Sequence, residues 1–404
     1  MKRLFFVLLC LVLFHCKKSP KDLGYDLELL RIKSLKNADA YENIIEFNQI
    51  IDSWNTLQGK EKADSFFLKL SQDYQLNLTE ETLLENTNEI FQDTAYLEIQ
   101  NPLLDNKKIE IPFVNFRKTA QTIDIQAPLI YFKKFDLSDF SKKKKQIIGK
   151  ILVLELNENE FYEYIEQSKT SGILGLLIIV KEGNAVPCYQ YHGDYKIPIL
   201  GLSQDDGFFL IESLKKYPKQ FVRILIKQKI IKQKTKSWKW EKDFGKSQNI
   251  FIVCNWKPQS CNKGILSSVT SSLILLDIAK TFQNFEWNCN YNLIFVWSEG
   301  DLFHVKKDSN KDIYIHLENL SDFMGWYYPK KDHKKWDFVI HQLRVYEKNI
   351  EIKSHNQDYV KPIIPVEQQK IINTDSEGIE WLHKEMVLRS LGMLALTIYL
   401  LSIS

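Results

Sequence analysis

Hydrophobic positions recur along this chain with two different periods, and the change from one to the other divides it into parts. From Tyr25 to Asn55 they fall at helical spacing, as Leu29, Ile32 and Leu35 and then Ile44, Ile45, Phe47, Ile51 and Trp54, which predicts helices there. A further helix from Lys60 to Tyr74 aligns Ala63, Phe66, Phe67 and Leu70, the stripe of a helix packed on a sheet. Between Phe113 and Lys232 short strand-like runs take over. They are IDIQAPLIYF, GKILVLEL from Gly149 and the run from Gly172 to Val180, with a helix around Phe161 to Ser171. Lys142 to Lys145 reads as a solvated turn, and Asp205 and Asp206, in IPILGLSQDDG, as a turn and helix start. The basic stretch Lys227 to Lys242, with Trp238 and Trp240, reads as a linker.

Beyond it the pattern becomes that of an α/β domain. Gln248 to Phe282 predicts a buried strand, Ile250 to Cys254, then a loop, then a helix from near Ser267 with Val269, Leu273, Leu276 and Ala279 at helical spacing. Side chains at the carboxyl ends of parallel strands converge on one crevice, so this loop is where chemistry belongs. It carries Asn255, Lys257, Gln259, Asn262, Ser267 and Ser268, with no carboxylate or histidine. Without a G-x-S-x-G elbow around them, Ser267 and Ser268 read as helix caps. Two more strands follow, NLIFVW leading to Ser298-Glu299-Gly300-Asp301, and DIYIHLEN from Asp312. The chain closes with a helix from about Glu377 to Ser404. The apolar end of that helix, Leu391 to Ile403, is too short to span a bilayer and reads as covering a sheet.

Length changes the picture first, because 404 residues imply about two or three domains. With 44% hydrophobic and 26% charged residues, the chain has the apolar surface to fold throughout. Its 54 basic against 51 acidic residues, a formal +3, are too balanced to indicate a nucleic-acid partner. At the amino terminus Met1-Lys-Arg precedes an apolar run from Leu4 to Phe14 and then Cys16-Lys-Lys, the layout of an export signal. A cysteine at that point resembles a bacterial lipoprotein processing site, with Cys16 lipidated and Leu13, Phe14 and His15 bulkier than the usual preceding residues. That resemblance implies a protein of the bacterial cell envelope held on a membrane surface. Cys188, Cys254, Cys261 and Cys289 remain in an oxidising compartment. Cys254 and Cys261 bracket the central loop and are the best local pair, although three connectivities stay open.

Four segments between Gly149 and Leu214 carry a first resemblance to a family. In order they are an apolar strand after a Gly-Lys turn, a helix, the strand LLIIV, and IPILGLSQDDG before a helix, and they are similar to a protease-associated domain. The flanks then resemble the two-zinc aminopeptidases and their relatives, glutamate carboxypeptidase and the transferrin receptor. GKEKADSFFLKLSQDYQL resembles the early helix of that catalytic domain, QNIFIVCN its strand leading to a zinc ligand, and KGILSSVTSSLILLDIAKTF its glycine, metal aspartate and long helix. NLIFVWSEGDLF resembles the strand bearing a glutamate pair, and DIYIHLENL one bearing another metal carboxylate. The resemblance implies an aminopeptidase-like mixed sheet flanked by helices, with a β-rich protease-associated insert. Its parts are a signal over 1–15, a tether over 16–24, a helical part over 25–112, the insert over 113–232, a linker over 233–247 and the rest of the main domain over 248–404.

Two zinc ions need histidine and carboxylate ligands and a nearby carboxylate base. At the matching positions Asn255 and Lys257 replace a histidine and an aspartate, Ser267 the bridging aspartate, and Asn373 is the nearest polar residue to a missing late histidine. Glu299 is the surviving base, and Glu318 stands for an aspartate. The expectation is a catalytically degenerate protein that needs no cofactor, is held on the membrane through Cys16, and binds a peptide or protein. The first alternative is an active zinc aminopeptidase rebuilt around Glu299, His316 and Glu318, since His316 and Glu318 at i and i+2 share one face of a strand. A second is an envelope structural protein.

Overall fold

A computed structural model describes residues 20–404 apart from 37, 51–55, 101–107, 116–121, 182–185, 187–196, 219, 257–267, 300–311, 318–319, 321–323, 331–332, 358 and 364–381. Helices α1 (Pro20–Lys36), α2 (Ala40–Ile50) and α3 (Leu57–Asp73) lead the chain. Thr56 starts α3 by accepting the Gly59 N–H at 3.0 Å on its hydroxyl, which satisfies one of the donors a helix start leaves open. The helical part expected over 25–112 ends there, because β1 (Thr79–Gln100) follows. Next come β2 (Lys108–Glu110), β3 (Val114–Asn115), β4 (Ile123–Tyr131), α4 (Asp139–Lys142), α5 (Lys144–Ile147), β5 (Ile151–Leu156), α6 (Phe161–Ser168), β6 (Gly175–Val180), β7 (Ile199–Leu202), α7 (Gln204–Lys216) and β8 (Phe221–Lys242). The rest comprises β9 (Asn249–Asn255), α8 (Thr270–Gln283), β10 (Asn292–Ser298), β11 (Ile313–Leu317), β12 (Gly325–Pro329), α9 (His333–Tyr346), β13 (Glu351–His355), β14 (Lys361–Ile363) and α10 (Lys384–Ile403).

One sheet runs through the molecule in the order β11-β9-β10-β8-β4-β5-β6-β7-β3, with β1 along the other edge of β8. Strand β8 makes it continuous. Its start, Phe221 to Ile226, pairs with β4, its end, Ser237 to Lys242, with β10, and Phe221 to Lys239 with β1. The linker expected over 233–247 is therefore, through Lys242, the second half of this strand. The lysines that suggested a solvated tether alternate with residues turned inward, among them Thr235, Ser237, Trp238 and Trp240.

Strands β4, β5, β6 and β7 are parallel, so each crossover carries helix or loop over a face. Leu152, Leu154, Leu176 and Ile178 face α6, whereas Ile151, Val153, Leu177 and Ile179 face α7. A strand buried on both faces reads as an unbroken apolar run, which is what LLIIV is. Ser203 caps α7 by accepting the Asp206 N–H at 3.1 Å, in line with the expected helix start. Gly207 lets α7 lie close to β6, since a Cβ there would come within 2.4 Å of the Ile179 side chain. The lysine run is not a turn but the junction of α4 and α5. Lys143 pairs with Asp139 at 2.8 Å and lies 4.7 Å from the centre of the Phe132 ring.

The main core lies between α1, α2, α3, α8 and α10 and one face of β8, β9, β10 and β11. Nearly every residue of α8 is buried, because it runs between the sheet and α1, α2 and α10. Helix α10 is long and apolar enough to cross a membrane, but it is buried and packs on α1, α2, α8 and α9.

Candidate functional site

Strands β10, β9 and β11 are parallel neighbours, with Ser298 opposite Asn255 and Leu317 opposite Cys254. Their carboxyl ends therefore meet at one edge, the position where an open α/β sheet presents its crevice. Strand alternation decides which face each residue serves. Cys254, Trp297 and Leu317 belong to the main core under α3 and α8. Val253, Val296 and Tyr314 belong to a separate cluster on the other face.

Glu299, just past β10, turns to the α3 side. Its carboxylate is fully buried, with Oε2 accepting the Lys236 backbone N–H at 3.0 Å and Oε1 lying 3.2 Å from the Lys60 ammonium, which is itself 6% exposed. Lys60 also donates to Gln233 Oε1 at 2.7 Å. One turn further along α3, Asp64 Oδ1 accepts the Trp256 indole N–H at 3.0 Å. Burial, and after it the Glu299 charge, pushes the Asp64 carboxyl up to about 6. Phe67 roofs the group, with ring centroids 4.6 Å from Trp256, 5.3 Å from Trp238 and 5.6 Å from Trp297. Such a dry wall strengthens every charge interaction beneath it.

Zinc requires several nitrogen, sulfur or carboxylate donors around one point. Among the described residues no group of three or more histidines, cysteines, aspartates or glutamates is placed to hold a metal ion. The donor set around Glu299 does not fit one, because an ammonium stands against its carboxylate.

His316 does not join Glu299. It lies on the opposite face, stacked on Tyr359 at 4.3 Å, while its backbone N–H donates to Val360 at 2.8 Å. Of the rebuilt site expected from Glu299, His316 and Glu318, the first two are thus divided by the sheet. Alternation put His316 and Glu318 on one face but said nothing of which face Glu299 takes after β10 ends. Asn255 sits at the end of β9, its carbonyl accepting the Ser272 hydroxyl at 3.3 Å. Cys254 is a free thiol and not half of a disulfide. It points into the core with its Sγ 3.4 Å from the Ser272 hydroxyl, and complete burial pushes the thiol up to about 12. Cys289 is also free and buried. The capping expected of Ser268 is not found, since Val269 precedes α8 with no side-chain cap. Cys16, Lys257, Cys261, Ser267, Glu318 and Asn373 lie outside the described residues.

Lys60 and Asp64 were missed. They fall on the α3 face that also carries Ala63 and Phe67, and two charges on an apolar stripe were the available signal. Asp277 was missed too, a carboxylate inside the apolar run of α8. Its Oδ2 accepts the Asp39 and Ala40 N–H groups at 2.7 Å each, capping α2 from a distant part of the chain.

With this geometry in view, known structures define a class. The chain is similar to a peptidase M28 precursor from Shewanella amazonensis, with a TM-score of 0.70 at 12% identity over 96% of this chain and 98% of that one. It is similar to BSAP, a zinc aminopeptidase from Bacillus subtilis, at 0.63 and 14% identity over 89% and 94%. An aminopeptidase from Aneurinibacillus sp. strain AM-1 follows at 0.57 and 12% over 92% and 96%. The fold is the aminopeptidase-like mixed α/β fold, and the protein is peptidase-like in architecture. No protein-family model matches the chain, and no curated protein matches it in sequence.

Proposed function

We propose that this is an exported, lipid-anchored protein of the bacterial envelope that has kept the aminopeptidase fold, lost metallopeptidase catalysis, and binds a peptide or protein. The observation that carries the proposal is the buried pair between Lys60 and Glu299, 3.2 Å apart. The carboxylate left at the crevice is neutralised from within the chain, so it is a poor base and a poor ligand. Asn255, Lys257, Ser267 and Asn373, at positions where the resemblance calls for metal ligands or leaves one missing, support the same conclusion. In this proposal the insert over 113–232 is a protease-associated domain that offers a recognition surface beside the old cleft, and the membrane is reached through Cys16.

The test is zinc content and turnover together. Purified protein dialysed against zinc is expected to hold well below one ion per chain and to leave aminoacyl anilides intact. Stoichiometric zinc with turnover that a chelator abolishes would restore the active-peptidase alternative.

A further inference from the structure

Two acids and a lysine meet under the Phe67 roof, and the way their charges are satisfied differs between them. Glu299 Oε2 has a backbone N–H, but Oε1 makes no hydrogen bond among the described residues and relies on the ammonium 3.2 Å away. A carboxylate buried to this degree without a compensating charge is costly to keep ionised. The ammonium comes from the first turn of α3, which Thr56 caps and which Phe66 and Phe67 anchor in the core. Its Gln233 contact at 2.7 Å ties it to β8, the strand whose Lys236 N–H holds the other oxygen. Helix, long strand and strand end thus converge on one carboxylate.

We infer that Lys60 is the resident cation of this crevice, its ammonium supplying to Glu299 the positive charge that a metal ion would otherwise supply, so that the site is closed to divalent cations. This rests on the proposal above that metal catalysis is lost, and adds what replaced the charge. An ammonium cannot share a carboxylate with a dication at contact distance without strong repulsion. The charge is moreover carried on a packed helix and not on a mobile surface side chain. The pair therefore also fastens α3 to the end of β10, so that what remains of the site is a structural clasp between the leading helices and the sheet.

Five forms of the full-length protein, wild type, Lys60→Met, Lys60→Arg, Glu299→Gln and the Lys60→Met, Glu299→Gln double variant, are to be melted with and without zinc and with and without chelator. Removing one partner of a buried pair while leaving the other charged is expected to lower the Tm of Lys60→Met by roughly 5–10 °C. The double variant should recover much of that loss, because both charges are then gone. Lys60→Arg, which keeps the charge, should stay nearer wild type than Lys60→Met. Zinc and chelator should move no melting curve. If Lys60→Met does not fold, a soluble double variant supports the inference and an equally insoluble one overturns it.

A Tm for Lys60→Met within about 1 °C of wild type also overturns it. In zinc-free protein that result leaves the loss of catalysis standing. Zinc that raises the wild-type Tm together with measurable anilide turnover overturns both, and zinc that raises it without turnover overturns the resident cation alone.

Discussion

Single residues with long-range partners set the electrostatics of this fold. Asp277 is an acid in the apolar middle of a helix that is almost wholly buried. Burial pushes its carboxyl up to about 7, while hydrogen bonds from the Tyr74 hydroxyl and the Ala40 and Asp39 N–H groups, and the nearby Lys280 charge, draw it back. Asn43 donates to the same Tyr74 hydroxyl, and Asp39 pairs with Lys280 at 2.7 Å. An acid whose folded pKa is raised stabilises the protein below its unfolded pKa, and that contribution is lost as pH rises through the folded value. The window is then from about pH 4 to about pH 7, and the loss is roughly 4 kcal/mol at most. Asp277→Asn, whose amide oxygen still accepts the α2 N–H groups, is expected to flatten stability across that window. Urea midpoints at pH 4.5 and 7.5 compare the two proteins, and parallel pH slopes would reject the assignment. That an acid lay in an apolar helix was legible, but its partners sit at the far end of the chain, and no local pattern names them. The same distance hid Lys60 and Asp64, whose partners lie just past β10, on β8 and just past β9.

At the scale of elements, periodicity located the buried pieces and failed where pairing, and not side-chain burial, organises the backbone. LLIIV, NLIFVW and the first residues of DIYIHLEN were legible as strands because both their faces are covered. Strand β8 was not, since its middle carries lysines on exposed positions and is held by its ladder to β1, with Lys239 opposite Thr79 on one side and Val296 on the other. A tether tolerates proline, whereas a central strand loses a ladder hydrogen bond and clashes. Lys239→Pro is expected to cost about 3 kcal/mol or more and to remove most soluble protein. Ser247→Pro, in the exposed loop past the end of β8, serves as the comparison, and equal yields of the two would return the segment to a linker. Helix α7 makes a finer case, because Gly207, next to the Asp205–Asp206 pair that marked the helix start, is the contact point with Ile179. Gly207→Ala is expected to destabilise by about 1–3 kcal/mol through that overlap, read as a lower urea midpoint with an unchanged slope.

At the scale of the molecule, the aminopeptidase-like architecture was legible because strand order, helix order and one loop all agreed, and the structural neighbours share it at identities of only 12–14%. The candidate site was half legible. The proposed loss of ligands is read from residue types alone, but the faces on which Glu299 and His316 stand depend on where a strand stops. Membrane attachment is a question at this scale too, for the chain has two apolar stretches, Leu4 to Phe14 and α10. Helix α10 meets the length and composition of a membrane span, yet Leu391, Leu394, Ile398 and Leu401 are buried against the rest of the fold. Its apolarity is used up in the core and leaves nothing to offer to lipid. The run from Leu4 to Phe14 ahead of Cys16 lies outside the described residues, and in the proposal above the lipid on Cys16 is the hold on the membrane. Protein starting at Lys17 is therefore expected to enter the aqueous phase on detergent phase partition and to melt cooperatively, whereas the processed full-length form enters the detergent phase. Cys16→Ser should abolish incorporation of labelled fatty acid. If the form starting at Lys17 follows detergent, α10 is available to lipid and the packing described for it does not hold in solution.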